Sequence, residues 1–401
     1  MRFTNENKGE VFLKEKYKYI QTLMILVIMI LMATTEGFIN IFGTTIKGDF
    51  ALSDTRYSLM FTLGSIAYLI FNYVGGSLCD KLGQKNLFLI GLIGVTLGNL
   101  ILATALNFNI FTMGFIIMQL FMGMMSIAAN TIIPLLWITG QAIIMNLTHF
   151  SYGAGLSITQ KLAGVFLNKG ITWRNIYLIG ALISLIVFIV FVFIKLPKSK
   201  VSKAEKNISL KEILTKKVSW YFIFAMGFYI MAEQSTGRWL PGFIKISYSN
   251  LNESQIASYI SLFFVSLTLG RLIGGFIAEK LGEIKTVIIF SISGGILFIL
   301  GLLLGKNGLY IISLSGFFFS IIFPTLVIIV GNTFKISTAY TTGVIISFAG
   351  IVNTSMNLAL GFLSDLIGIE KAIFLVPIAI LMTFIFVSCI NWNLKNIKSV
   401  I

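Results

Sequence analysis

The sequence predicts an all-α membrane protein with twelve transmembrane helices in two pseudo-symmetric bundles of six. Three observations predict this fold: 57% of the 401 residues are hydrophobic, only 11% are charged, and one motif occurs twice. A soluble domain has about 25% charged residues, so most of this chain must face lipid. The motif reads GGSLCDKLG at 75–83 and GGFIAEKLG at 274–282. Such a repeat indicates that the chain is built from two related halves.

Twelve apolar segments are long enough to span a bilayer, because a helix needs about 20 apolar residues to cross about 30 Å of hydrocarbon. They are predicted at 18–43, 56–78, 86–106, 109–134, 138–167, 174–195, 218–245, 254–279, 284–304, 308–331, 338–364 and 370–392. The longest gap divides the chain into a first bundle at 1–195, a linker at 196–217 and a second bundle at 218–401. In the linker, SLKE at 209–212 predicts a capping box and therefore a short amphipathic helix.

The distribution of lysine and arginine predicts the orientation, since basic residues are retained on the cytoplasmic side of a membrane. With both termini inside, 20 of the 30 basic residues lie in cytoplasmic segments, seven lie outside and three lie within spans. We therefore expect a multi-pass protein of the cytoplasmic membrane with both termini cytoplasmic. This asymmetry accounts for the net charge of +15, so no nucleic-acid partner is expected.

The double motif has two weaker copies, at Gly361–Asp365–Gly368 and at Gly164–Asn168–Gly170. In the predicted orientation the two strong copies face the cytoplasm and the two weak copies face outside. The sequence therefore predicts three-helix units that alternate in direction within each bundle.

Together, the twelve spans, the basic linker and G-x-L-x-D-x-x-G between spans two and three resemble the major facilitator superfamily of secondary transporters. The resemblance extends over essentially the whole chain. It implies that the glycines allow close helix contact and that the acid and base form contacts that switch with conformation. The residues implied are Gly76, Asp80, Lys81, Gly83, Lys85, Gly275, Glu279, Lys280 and Gly282. The alternative is an ordinary tight turn with a solvated charge pair.

Four further stretches resemble the fucose-permease-like sugar symporters, including their sodium/glucose relatives. They are GMMSIAAN at 123–130, MNLTHF at 145–150, AEQSTGRWLP at 232–241 and LGR at 269–271. The resemblance implies a small polar, sugar-like solute. Span eleven adds asparagines on one helical stripe, and amide groups can both donate to and accept from sugar hydroxyls. The predicted solute-binding residues are Asn130, Asn146, His149, Gln234, Trp239, Asn353 and Asn357. Polar residues also hold helices together, which is the alternative reading for each.

The two carboxylates associated with proton and sugar handling in the fucose permease are missing, because Thr44 and Ser126 occupy their aligned positions. An ionised group at mid-membrane costs about 2.5–3.5 kcal/mol, so the carboxylates that are present should face the interior. Glu36 in span one and Glu233 in span seven are therefore the candidates for coupling to a proton or sodium gradient.

Glu233 ranks first of the two, because Gly237 and Pro241 predict an unwound segment whose carbonyls could help to bind sodium. The alternative is a structural ion pair of Glu233 with Arg238. Lys161 could also neutralise either carboxylate.

No nucleotide-binding, hydrolase, kinase or zinc pattern occurs in the sequence, so we expect no enzymatic activity, no cofactor and no metal centre. The expected partners are a small-molecule solute, a coupling cation and the lipid bilayer, with the chain acting as a monomer. The sequence leaves three alternatives open: an efflux carrier for amphiphilic compounds or drugs, a membrane-embedded enzyme, and a receptor that binds without flux.

Overall fold

The computed structural model describes residues 5–52, 54–168, 170–197, 208–251, 253–335 and 337–398, and these residues form helices and no strand. The helices are α1 (Asn5–Asp49), α2 (Asp54–Leu82), α3 (Gln84–Thr104), α4 (Phe108–Leu136), α5 (Gln141–Asn168), α6 (Trp173–Val192), α7 (Leu210–Leu214), α8 (Lys217–Ser247), α9 (Glu253–Leu281), α10 (Glu283–Leu303), α11 (Leu309–Phe319), α12 (Ile322–Thr333), α13 (Thr338–Ile367), α14 (Ile369–Ala372) and α15 (Leu375–Lys398).

Among the described residues, ten helical stretches are long and apolar enough to cross a membrane. Helices α11 and α12 fall within one such stretch, as do α14 and α15. The remaining two spans are α5 and α8, which have 28 and 31 residues and contain the polar motifs. The all-α fold with twelve membrane-length helices is thus confirmed.

Several helices begin at side-chain caps, which satisfy backbone N–H groups that have no partner inside the helix. The Asn107 side chain accepts from the N–H of Ile110 at the start of α4, at 3.0 Å. At α7, Ser209 accepts from the N–H of Glu212 at 3.2 Å, and Glu212 accepts from the N–H of Ser209 at 3.4 Å. The predicted capping box is therefore confirmed.

A single glycine separates the two helices at each copy of the strong motif. Gly83 lies between α2 and α3 with φ +82°, and Gly282 lies between α9 and α10 with φ +89°. A side chain is strained in this left-handed backbone region, which explains why glycine ends both motifs. The predicted tight reversals are present at both positions.

The helices form two compact units. The first comprises residues 1–139 and 151–201, and the second comprises residues 140–150 and 202–401. The start of α5, at 140–150, thus groups with the second unit, whereas the sequence analysis assigned all of span five to the first bundle. The bundle limits at 195 and 218 stay predictions.

One close helix crossing occurs in both units at related positions. In the first unit, a Cβ atom at Gly123 of α4 would lie 2.5 Å from the carbonyl oxygen of Tyr68 in α2. In the second, a Cβ atom at Gly316 of α11 would lie 2.3 Å from the carbonyl oxygen of Phe263 in α9. Glycine has no side chain, so spans two and four can pack this closely, and spans eight and ten can do the same.

Span ten is interrupted, since Ser320 and Ile321 separate α11 from α12. The cause is Pro324, which has no N–H group to donate to the carbonyl four residues earlier and whose ring crowds that carbonyl. That carbonyl belongs to Ser320, so the break releases a backbone acceptor inside the second unit.

Candidate functional site

A chain of hydrogen bonds joins α8 to α13 in the second unit. The Ser235 hydroxyl donates to Oδ1 of Asn357 at 2.9 Å, and Nδ2 of Asn357 donates to Oδ1 of Asn353 at 2.7 Å. Nδ2 of Asn353 then donates to Oε1 of Gln234 at 3.1 Å. Three of the predicted solute-binding residues are therefore in direct contact. The last group in this series of hydrogen bonds is the Gln234 amide, and the Gln234 side chain is exposed.

Trp239 lies on α8, and its ring is near Gly361 of α13. Its Nε1–H is buried and has no hydrogen-bond partner among the described residues. An unpaired buried donor costs about 1–3 kcal/mol, and a ligand hydroxyl could recover this energy. The α8–α13 face thus combines fixed amides with an unused donor, which is the chemistry that a sugar hydroxyl requires.

Glu233 forms an ion pair with Arg271 of α9, with Oε1 of Glu233 3.1 Å from the arginine guanidinium. The two side chains are only 23% and 10% exposed. Arg271 also donates from Nε to the Ser320 carbonyl at 3.3 Å and from Nη1 to the His149 carbonyl at 3.5 Å. Arg271 therefore binds both the partly buried Glu233 carboxylate and the carbonyl that the break in span ten releases.

The alternative of an ion pair at Glu233 applies with a different partner, because Glu233 pairs with Arg271 and not with Arg238. Arg238 is five residues further along α8 and its side chain is exposed. The expectation of an unwound segment in span seven is wrong. The segment around Gly237 and Pro241 does not unwind, since α8 continues as a helix through Pro241. The break occurs in span ten instead, at Ser320 and Ile321.

Next to the Glu233–Arg271 pair lies a group of aromatic rings. The Phe323 ring stacks on Tyr229 with centroids 6.4 Å apart and meets the edge of His149 at 5.6 Å. Two buried polar atoms of α5 have no hydrogen-bond partner among the described residues: Nε2 of His149 and Oδ1 of Asn146. The Asn146 amide nitrogen donates to the Ala142 carbonyl at 2.9 Å. Both predicted span-five residues thus retain one unused polar atom.

In the first unit, Glu36 of α1 lies inside the membrane-length stretch Tyr17–Ile39. Its recorded partner is the hydroxyl group of Tyr152 in α5, which donates to Oε2. No cationic side chain of the described residues contacts it. The Lys161 side chain lies outside the described residues, as does that of Thr44.

A second tyrosine, Tyr68 of α2, lies within electrostatic reach of Glu36 and within hydrogen-bonding distance of Ser126 in α4. The Asn130 amide donates to the Ser126 hydroxyl at 3.4 Å. The predicted solute residue Asn130 is therefore hydrogen-bonded to Ser126, and Tyr68 lies near both Ser126 and the predicted coupling residue Glu36.

At the first strong motif, the Lys85 ammonium donates to the Val192 carbonyl at the end of α6, at 2.7 Å. The terminal carbonyls of a helix have no internal partner, so Lys85 stabilises this helix end. Gly76 is buried, Asp80 is partly buried and Lys81 is exposed.

At the second strong motif, Oε1 of Glu279 accepts from the N–H of Ala142 in the first turn of α5, at 3.1 Å. A carboxylate at a helix N-terminus is favourable. A Cβ atom at Gly275 would lie 2.7 Å from the Ile143 backbone, so only glycine allows this contact. Lys280 is exposed, and a cavity of about 620 Å³ opens beside Glu279 and Gly282.

The sequence analysis missed Arg271 and Tyr152 as site residues. The LGR stretch had already drawn attention to Arg271, but the partners considered for Glu233 were Arg238 and Lys161. Tyr152 belongs to none of the motifs that the sequence analysis recognised. Among the described residues no group of three or more potential metal-ligating side chains occurs.

These features define a multi-span membrane protein, since membrane-length helices repeat one packing pattern in two units and carry carboxylates and amides in their spans. The chain belongs to the Major Facilitator Superfamily, whose family model matches residues 24–335.

The chain is similar to several transporters along most of its length. It is 24% identical over 358 residues to a glucose/galactose transporter of Brucella abortus, covering 83% of this chain and 84% of that protein. It is 23% identical over 298 residues to the cis,cis-muconate transport protein of Acinetobacter baylyi, covering 69% and 70%. The outward conformation of FucP, the fucose:proton symporter of E. coli, shares the fold with a TM-score of 0.81 at 19% identity, covering 93% and 99%.

Proposed function

We propose that this protein is a secondary active transporter that carries a hexose-like sugar across the cytoplasmic membrane by alternating access, driven by a proton gradient. The observation that carries the proposal is the contrast between its two intramembrane carboxylates. Glu36 contacts a neutral tyrosine hydroxyl, whereas Glu233 is paired with Arg271. A carboxyl group beside neutral partners can bind a proton without breaking an ion pair, whereas a proton on Glu233 would leave the Arg271 guanidinium without its counter-charge.

This contrast reverses the order of the two coupling candidates. Glu36 becomes the proton carrier, and neutralising it lowers the cost of moving the loaded site through the membrane interior. Glu233 holds Arg271 and the break in span ten in place. Sodium coupling loses its main support, because α8 continues through Pro241 and releases no set of carbonyls.

The solute is proposed to bind the amides of α8 and α13, with Trp239 as an added donor and His149 and Asn146 as further polar contacts. Sugar hydroxyls match these neutral donors and acceptors. A glucose/galactose transporter among the relatives supports the same substrate class. A carboxylate solute is less well supported, because Glu233 already neutralises Arg271. An efflux carrier for amphiphilic compounds has no comparable support in this polar set.

Counterflow in proteoliposomes tests the substrate class. Vesicles containing the purified protein are loaded with unlabelled D-glucose, D-galactose or L-fucose and diluted into the labelled sugar, with cis,cis-muconate as the comparison solute. We expect transient accumulation of at least one hexose and none of muconate. Accumulation of muconate alone would contradict the proposal.

The two glycine turns are proposed to control the change between conformations. Glu279 caps the first turn of α5 in this conformation, so a movement that separates them must break that contact. We propose the same type of role for Asp80 in the first copy. The protein is proposed to act as a monomer.

Both termini and the linker at 196–217 are proposed to be cytoplasmic. A cysteine at position 203 (Lys203→Cys), in a chain whose Cys79 and Cys389 are replaced by serine, should not react with an impermeant thiol reagent added to intact cells. A cysteine at position 306 (Lys306→Cys) is the matched control, because Lys306 is exposed in the turn between α10 and α11 and is predicted to face outside. Labelling of position 203 but not 306 would reverse the orientation.

A further inference from the structure

Among the described residues, the hydrogen bond to Glu36 comes from the hydroxyl group of Tyr152. It lies on α5, whereas Glu36 lies on α1. Both belong to the first unit. Tyr152 is partly buried, so this hydrogen bond forms largely away from water, where it is stronger than at a surface.

The other described side chains around Glu36 are neutral, and that of Lys161 on α5 lies outside the described residues. Tyr68 approaches from α2 and is linked to Ser126. Helix α4 carries no ionisable side chain between Phe108 and Leu136. Helix α6 contributes Tyr177, which packs edge-on against Phe38 with ring centroids 5.7 Å apart. Among the described residues, the charge on Glu36 therefore depends on tyrosine hydroxyls and not on a counter-ion.

We propose that Tyr152 is a positioning residue whose hydrogen bond to Glu36 sets the pH range in which this carboxyl group takes up and releases a proton. The inference rests on the proposed role of Glu36 as the proton carrier. The O–H group of tyrosine stabilises the carboxylate form by donating to it. It also fixes the orientation of the carboxyl group, so that Oε2 faces α5 in the ionised state.

The two protonation states thus differ in how firmly α1 is held to α5. The ionised carboxylate accepts a charge-assisted hydrogen bond, which is roughly twice as strong as a neutral one. Proton uptake weakens the contact and frees α1 to shift relative to α5. This links the charge of the carrier to the packing of its own helix.

Infrared spectroscopy tests the proposal without a transported solute. A protonated carboxyl group has a C=O stretching band that disappears on ionisation, and the band missing in Glu36→Gln belongs to Glu36. Its intensity is followed against pH in purified full-length protein for the wild type, Tyr152→Phe and Tyr177→Phe. The Phe substitution at 152 keeps the ring and removes only the hydroxyl group.

We expect Tyr152→Phe to move the midpoint of the Glu36 band to higher pH by about 1 unit, the equivalent of one hydrogen bond to a charged group. Tyr177→Phe is the matched control and should leave the midpoint unchanged, because the Tyr177 hydroxyl is buried without a hydrogen-bond partner. An unchanged or lowered midpoint in Tyr152→Phe would overturn the positioning role.

The same titration separates this inference from the function on which it rests. If no band in the wild type depends on both pH and Glu36, the proton-carrier proposal itself fails. If the Glu36 band titrates in the wild type but responds equally to both tyrosine substitutions, only the role of Tyr152 fails.

Discussion

Replacing Glu36 with glutamine is expected to abolish accumulation of sugar against a gradient while leaving exchange of sugar measurable. Glutamine has nearly the shape of the protonated acid but cannot release a proton, so the loaded form of the carrier persists. Uptake by proteoliposomes under an imposed proton gradient, compared with exchange at equal pH, measures the two activities separately. Sugar should reach the same concentration on both sides and no more.

The matched control is Glu370→Gln, which makes the same chemical change at an exposed position at the start of α14. It should accumulate sugar normally. If Glu36→Gln also accumulates normally while Glu233→Gln does not, coupling belongs to span seven, as the sequence analysis ranked it.

Replacing Arg271 with glutamine is expected to cost the protein about 3–5 kcal/mol of stability, the usual effect of removing one partner of a buried ion pair. The substitution leaves Glu233 without its counter-charge and removes the donor to the Ser320 carbonyl. We expect a large fall in the thermal unfolding temperature of the detergent-purified protein, and loss of both exchange and accumulation.

Two further variants show whether the loss of stability comes from the Glu233–Arg271 ion pair. Arg238→Gln removes the exposed arginine of α8 and should change the unfolding temperature little. Glu233→Gln combined with Arg271→Gln removes both charges and should recover part of the lost stability, because no uncompensated charge remains. If Arg238→Gln were as damaging as Arg271→Gln, the ion pair would be assigned to the wrong arginine.

Local features of the fold could be predicted from the sequence because they depend on neighbouring residues. The capping box at Ser209 and Glu212 requires only a fixed spacing, and the reversals at Gly83 and Gly282 require only glycine after a helix. The twelve spans follow from the length of apolar runs. Each of these signals lies within one short segment, so no tertiary information is needed.

The location of the helix break could not be predicted in this way. Pro241 and Pro324 both lie inside spans, and both remove one backbone donor. The chain interrupts its helix before Pro324, where Arg271 from α9 supplies a donor to the Ser320 carbonyl. It continues the helix through Pro241. Which proline leads to a break depends on what a different helix offers.

The candidate site could be predicted only in part, because some of its contacts also depend on residues from other helices. Gln234, Asn353 and Asn357 were recognised as polar residues in apolar spans, and the structure brings them together. The partners of the two carboxylates were not recognised, because Arg271 and Tyr152 are distant in sequence from Glu233 and Glu36. The ranking of the carboxylates depended on those partners and therefore changed.

The most direct test of proton-coupled sugar transport is the movement of protons when sugar is added. Lightly buffered proteoliposomes containing the purified protein, in sodium-free medium, receive D-glucose, D-galactose or L-fucose while the external pH is recorded. The account predicts that the external medium becomes more alkaline when the transported sugar is added, and that Glu36→Gln vesicles give no such change. Sugar uptake that requires sodium and leaves the external pH unchanged would contradict it.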